Sequence, residues 1–443
     1  MCNTVRSGMK GMYAVCVIAI LLAALCGTMK VRAAEETESK KTGWVVESGK
    51  TYYLDENGEK VTGLQKIEGR YYYFSKKGVQ KAGWCKIKGK KYYFDPNQKG
   101  ARAKGFTKIG KKWYYFKKNG RPKKGWLKAN DQYYFLNSKG KVTTGWKTIK
   151  GKKYYFKKPT GERVTGTYTI KGKEYVFSKK GVLRARRGFL KNGTYVDATG
   201  QKLKKNTIKG FLKTALKPVG STMYVWGGGW NTTDTGSGII SRTIGVSPQW
   251  KKFFQKQTSS YDYTKTRYQV YDGLDCSGYV GWTLYNTFNT TNGNEGYVML
   301  AQVMARTFAN YGWGSYTAAG AVKNFKAGDI MSLASGHVYI VVGECSDGSV
   351  VLLHSSPKGV MISGTYTRSG AKNSQAVRLA TKYMKRYYPA WYAKFPEVSR
   401  YTDYLTKYSQ MRWYIKGKKT MLTDPDGYRD KSASKVLKDL FKN

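Results

Sequence analysis

Three side chains of this 443-residue chain have the types and spacing for nucleophilic chemistry. Cys276 stands in the stretch Tyr271–Trp282, YDGLDCSGYVGW, and the two histidines of the chain, His337 and His354, both follow it. A cysteine thiolate attacks a carbonyl carbon, an imidazole moves the proton, and a further polar group holds that imidazole in place. The thiol inventory fits this use. Of 6 cysteines, Cys2, Cys16 and Cys26 fall in the N-terminal stretch, leaving Cys85, Cys276 and Cys345. An odd, sparse set in a secreted chain is no disulfide framework and leaves at least one thiol free. The competing reading, a buried small hydrophobe beside satisfied structural histidines, explains one such residue better than three. A zinc site built from the same three side chains lacks a ligand-spacing pair such as CxxC or HxxxH.

These residues need elements to bring them together. Gly273–Phe288, GLDCSGYVGWTLYNTF, puts apolar residues at helical spacing from about Tyr279, so Cys276 falls in the first turn of a helix. Helix-start N–H groups and the dipole favour a thiolate there. Asp275, just ahead, reads as an N-cap or a substrate contact. Ala327–Met331 leads into a strand, and His337–Gly343 alternates as another. After Ser346–Ser349 comes Val350–His354, VVLLH, which pairs with it as a hairpin. His337 opens the first strand and His354 closes the second, making them neighbours across the ladder. The two thereby suit a base and its orienting partner. No metal or organic cofactor is expected.

The first half is an array. Gly-Trp or a degenerate form recurs at Gly43, Gly63, Gly83, Gly105, Gly125, Gly145, Gly166 and Gly188, in steps of 20 to 22 residues. Each unit carries an aromatic cluster such as Tyr72-Tyr73-Phe74 or Tyr154-Tyr155-Phe156, bounded by turn glycines. This pattern predicts one β-hairpin per repeat, stacked as a solenoid because a lone hairpin cannot bury its aromatic face. Trp44, Trp84, Trp113, Trp126 and Trp146 are the candidate ligand-binding rings; most other aromatics read as hairpin filling.

Charge narrows the partners. The chain has 80 Lys+Arg against 27 Asp+Glu, a formal net of +53. Residues 41–210 alone hold 45 against 10, a net of +35. So one-sided a block repels itself unless a polyanion is present. Arg6 and Lys10, then the apolar run Met12–Leu25, then Val31-Arg32-Ala33, read as a secretory signal over 1–34, too short to span a membrane. Secretion excludes intracellular nucleic acid and points to anionic cell-wall polymer. No transmembrane segment is expected after signal removal. The division that follows is signal 1–34, linker 35–42, about eight repeats over 43–206, a catalytic-type domain over 207–370 with an insert at 230–273, and an extension over 371–443.

Two resemblances add to this. The GW…YYF units resemble the choline- and glucan-binding cell-wall repeats of Gram-positive surface proteins, whose ligand sits in an aromatic cage between repeats. DCSG opening a helix, GHVYIVVG opening a strand and HSS after the next resemble the NlpC family of cell-wall cysteine peptidases, over roughly 208–367. That resemblance implies a papain-like α+β core with Cys276 as nucleophile, His337 as base and His354 as its orienting residue. It assigns Tyr224, in YVWGG, to the oxyanion or the substrate, and Asp275 and Ser277 to the substrate's N-terminus. The implied activity is cleavage of the peptidoglycan stem peptide at the D-γ-glutamyl–diamino acid bond, by a secreted, wall-associated enzyme. An N-acetylmuramoyl-L-alanine amidase of the same chemistry and a non-catalytic wall adhesin are the alternatives. The insert is longer than the family pattern and suits a cleft wall.

Overall fold

The computed structural model describes residues 40–230, 240–267 and 269–442. The expected signal, residues 35–39 of the linker, and residues 231–239 and Tyr268 of the insert lie outside the described residues. By packing the chain forms two compact units: residues up to Lys104 with Lys118–Arg121, and Gly105–Lys117 with Pro122 onward.

In both units each repeat is built on an antiparallel hairpin beginning at the expected glycine, and the third adds a short strand, Ala101–Arg102. Gly43–Glu47 pairs with Lys50–Leu54, and Gly145–Ile149 with Lys152–Phe156. Two-residue loops close the first seven. Six, such as Lys150-Gly151 with φ of 48° and 71°, hold both residues in the left-handed region. Such turns match the strand twist, and glycine enters them without strain. The cores are small. Ile67, Tyr72, Phe74 and Ala101 make one; Val164, Ile170, Phe177 and Leu183 another. Successive hairpins of the second unit are laced by main-chain bonds, such as Arg163 N to Tyr133 O at 2.7 Å and Leu183 N to Lys153 O at 2.9 Å.

The eighth hairpin is short, Gly188–Phe189 against Tyr195–Val196. Its Tyr195, with Leu203, belongs to the large core that also holds Trp313, Trp413 and Leu440. The pattern change near 206 is therefore a change of sequence texture within continuous packing.

That core lies on a seven-stranded sheet. In chain order its strands are β1 Gly314–Thr317, β2 Ile330–Leu333, β3 His337–Glu344, β4 Val350–Ser356, β5 Gly359–Thr365, β6 Ser399–Arg400 and β7 Tyr408–Trp413, arranged β1-β7-β2-β3-β4-β5-β6. Helices α1 (Ile208–Leu216), α2 (Cys276–Phe288) and α3 (Gln375–Tyr387) contribute Phe211, Tyr279 and Met384 to the same core. The segment after 370 is part of the sheet itself: it supplies edge strand β6 and inserts β7 between β1 and β2. A buried carboxylate fixes β7, because Asp329, fully buried, takes Arg412 Nη2 at 2.7 Å and Gln410 Nε2 at 3.0 Å. A charge sealed this way is held by its partner and neighbouring donors. The insert is likewise ordered where described. Helix Pro248–Lys256 sends Trp250 fully into the core, edge-on to Trp282 at 5.8 Å.

Candidate active site

Helix α2 starts at Cys276 because Asp275 caps it. Its Oδ1 accepts from Gly278 N at 2.6 Å and from Ser277 Oγ at 2.8 Å. Ser277 Oγ also accepts from Trp230 Nε1 at 3.0 Å, so both side chains are committed to internal bonds. The YVWGG segment runs against this helix start. Asp275 N donates to Gly228 O at 3.0 Å. A Cβ on Gly278 would meet that Gly228 oxygen at 2.0 Å, which explains the glycine. Tyr224 is buried beside the cleft, and its main-chain oxygen accepts from Tyr261 Oη at 2.6 Å.

The Cys276 thiol is 5% exposed, with Sγ 3.8 Å from Gly336 O, one residue ahead of His337. The helix start alone favours a thiolate, but two larger effects oppose it. Burial, then the Asp275 carboxylate, push the thiol up, against the N–H groups of Val338, Ser277 and Cys276 itself. The expected depression is thus reversed. Asp275 is pushed up by burial to about 6, opposed chiefly by its bond from Gly278.

The two histidines do meet, His337 Nε2 lying 3.1 Å from His354 Nδ1. Their contact is diagonal, and it depends on an irregularity. Near the turn, Glu344 pairs with Val350 and Gly343 with Val351; below it, Val341 pairs with Leu352 and Ile340 with Leu353. One extra residue, Val342, is thus accommodated as a bulge. A one-residue slip changes which side chains share a face. With the bulge, His337 shares the face of Tyr339, Val341 and Leu352, as does His354; without it, His337 would point to the other. His354 is also not the end of its strand, since β4 continues through Ser356 against β5.

His354 is fully buried and wired on its other side as well. Its Nε2 lies 3.0 Å from Ser363 Oγ and accepts from Arg400 Nε at 3.2 Å. Burial and this guanidinium push His337 down to about 3, and His354 down too. Tyr404 and Tyr408 close over the pair, with ring centres 5.6 and 6.2 Å from His337. Sequence reasoning missed Arg400, Tyr404 and Tyr408. They lie 46 or more residues past His354, and one arginine among 80 basic residues carries no signal of its own.

The thiol opens onto a cleft of about 640 Å³. Tyr224, Trp226, Trp230, Tyr271 and Leu300 form much of its wall, so the insert does supply part of it. Among the described residues, no three or more His, Cys, Asp or Glu side chains converge as metal ligands.

In the repeats the Gly-Trp ring meets the cross-strand aromatic of its own hairpin and a tyrosine of the next. Trp44 lies 5.2 Å from Tyr53 and 4.8 Å from Tyr72; Trp146 lies 5.1 Å from both Tyr155 and Tyr175. These seams are partly exposed. At two of these tryptophans the chain's own cation covers the indole: Lys91 Nζ is 4.7 Å from Trp84, beside Tyr93 of the same hairpin, and Lys153 Nζ 4.8 Å from Trp146. At Trp126 the cation is Arg163, at 5.9 Å. Both lysines stand two residues before the cross-strand aromatic, a spacing visible in the sequence. Trp113 occupies that same position in its hairpin, opposite Lys108, and is exposed on the strand rather than part of a seam.

Comparison with known proteins fits these seams. A family model described as the choline-binding repeat matches residues 61–101 and 103–142, and one described as a cell wall binding repeat matches 42–60 and 144–162. Residues 42–162 are cell-wall-binding repeats of the choline-binding type. Among solved structures, CbpJ from Streptococcus pneumoniae is 28% identical over 37% of this chain and 58% of its own, with a TM-score of 0.34. Choline binding protein F from the same organism is 31% identical over the same shares, with a TM-score of 0.33. The similarity thus spans under two thirds of either protein. No curated protein matches the chain. No helix among the described residues is long and apolar enough to cross a membrane.

Proposed function

We propose that the C-terminal domain is a cysteine hydrolase of the NlpC type with a papain-like core, acting on the stem peptide of peptidoglycan. What carries this reading is one juxtaposition: a thiol at a helix start, in contact with Gly336 just ahead of a histidine whose Nε2 contacts a second histidine, at the wall of an open cleft. With Nε2 engaged, Nδ1 is the nitrogen of His337 left for the thiol. The thiol proton passes to Nδ1, sulfur bonds to the carbonyl carbon, and the amine leaves with that proton. Water then cleaves the thioester, restoring the thiol and releasing the carboxylate. The bond we assign is D-γ-glutamyl–diamino acid. The repeats hold the secreted chain on the wall, which raises the local concentration of substrate.

For the repeats, the Trp44–Tyr53–Tyr72 seam suits a quaternary ammonium such as choline by cation–π attraction, while the covered seams and the +35 block suit anionic polymer.

The test is digestion of purified peptidoglycan by wild type and Cys276→Ala, with released fragments identified by mass. A new amine on the diamino acid, absent with the variant, supports the assignment. A new amine on L-Ala points instead to the amidase, which the aromatic cleft wall would suit through a sugar face. Equal activity in both proteins removes Cys276 as nucleophile, and no release by wild type leaves an adhesin. Sedimentation of the full chain with cell walls, against salt and against choline, separates the two repeat ligands.

A further inference from the structure

The chain Arg400–His354–His337 sets where the protons of both imidazoles lie. A guanidinium keeps all its protons in a protein and can only donate. Arg400 Nε, 3.2 Å from His354 Nε2, therefore requires a lone pair on that nitrogen. The neutral His354 ring then carries its proton on Nδ1 and donates it to His337 Nε2, 3.1 Å away. His337 Nε2 becomes an acceptor, and its own proton lies on Nδ1, the nitrogen that must be empty to take the thiol proton. The alternative arrangement has His337 Nε2–H donating to His354 Nδ1 and His354 Nε2–H donating to Ser363 Oγ, 3.0 Å away. It holds the same number of protons, but it turns a ring N–H against Arg400 Nε–H.

We propose that Arg400 is a positioning residue that locks the histidine pair in the tautomer unable to accept the thiol proton, so that the site rests latent until the guanidinium is drawn away. This rests on the assignment of Cys276 and His337 as nucleophile and base. Arg400 is placed for the role. It sits on edge strand β6, whose two residues pair with β5 through Gly364↔Ser399 and Thr365↔Arg400. Its guanidinium is held by Ser356 Oγ at 3.0 Å and by Ser399 O, and among the described residues no carboxylate forms an ion pair with it. Its hydrogen bonds all go to neutral groups and Glu397 acts on it only through space, so a carboxylate reaching the strand edge would offer it a stronger, charged partner. The other titratable groups around the histidines are Cys276 from α2, Tyr339 from β3, Tyr408 from β7 and Tyr404 from the short helix Asp403–Thr406 before it. Burial holds the three tyrosines neutral, so none supplies a competing charge.

The chain has two histidines, so a histidine-selective ¹⁵N spectrum of the full protein contains four ring nitrogens. The expected wild-type pattern is a proton on Nδ1 of both rings near neutral pH. In Arg400→Met both protons move to Nε2, whereas Arg400→Lys, which also only donates, keeps the wild-type pattern. Peptide-resolved alkylation of Cys276 by iodoacetamide supplies a second readout. In Arg400→Met the midpoint of its pH profile moves down, and a one-unit move raises the thiolate fraction about tenfold at neutral pH. A wild-type His354 protonated on Nε2 overturns the proposal, as do unchanged tautomers in a folded Arg400→Met. If that variant does not fold, the wild-type spectrum alone decides. None of these readouts uses peptidoglycan, so failure of the hydrolase assignment is seen separately in the digestion.

Discussion

Trp146 and Trp413 are the same residue in opposite circumstances. Trp146 stands partly exposed in a seam between two hairpins, with a lysine over its face. Trp413 is sealed at 2% exposure, stacked on Trp313 at 5.6 Å, and its Nε1 donates to Gly328 O at 2.8 Å. The repeats distribute aromatic surface over many small, similar seams, each built by two neighbours. The C-terminal domain pools its aromatics in one core, and that core supports a single cluster of reactive side chains. Loss of one seam leaves its neighbours standing, whereas loss of the core takes the thiol–histidine cluster with it.

Substitution in the two settings gives the largest contrast. Trp413→Ala should destabilise the C-terminal domain by roughly 3–5 kcal/mol, the usual cost for a buried tryptophan. Trp146→Ala should leave the main thermal transition nearly in place and weaken only wall binding. Calorimetry with a sedimentation assay reads both, and equal destabilisation would erase the distinction. Next comes pH. Both histidines are held neutral below their ordinary range, so the unfolded chain binds protons there that the folded chain refuses. Stability from this source should rise as pH climbs from about 3 toward 6.5. Asp275, raised to about 6, works oppositely: the folded chain holds an extra proton, and that contribution fades as pH rises from about 4 to 6. Melting curves should therefore steepen with pH in Asp275→Asn, and a flatter curve would contradict the shift.

Smaller effects belong to the repeats. Lys153→Ala should uncover the Trp146 face and strengthen its choline binding by about 0.5–1 kcal/mol, read by tryptophan fluorescence; unchanged affinity would mean the lysine does not compete. Last, the loop Asn130-Asp131 holds both residues at φ near +50°, where the five other loops of that conformation use glycine second. Asp131→Gly should stabilise its hairpin by a few tenths of a kcal/mol, and destabilisation would show that the aspartate side chain matters there.

Legibility in the sequence follows the same division. The hairpins could be read directly, because a 20-residue period, turn glycines and clustered aromatics all repeat the same statement. The start of α2 was equally plain, since an aspartate three residues before a glycine in an apolar run is a local signal. What escaped is long-range. Arg400 reaches His354 only because β6 joins the sheet edge, and β7 enters between strands that precede it by about 75 and 90 residues in the sequence. The thiol's upward shift escaped for a related reason, because burial comes from the whole core and a sequence window shows only the helix start.

The bulge at Val342 works like a parity bit. Every strand residue carries one binary label, inward or outward, and the histidines are useful to each other only while their labels agree. Lengthening the Cys345–Ser349 turn leaves those labels untouched, so that turn is free to vary. Deleting Val342 leaves Gly343↔Val351 and Val341↔Leu352 as consecutive pairs of a regular ladder, and the labels still agree, whereas drawing Val342 into the ladder opposite Leu352 sets His337 against His354. A similar chain one residue shorter at this point therefore keeps the histidine cluster without a bulge, while a chain of this length keeps it only with one.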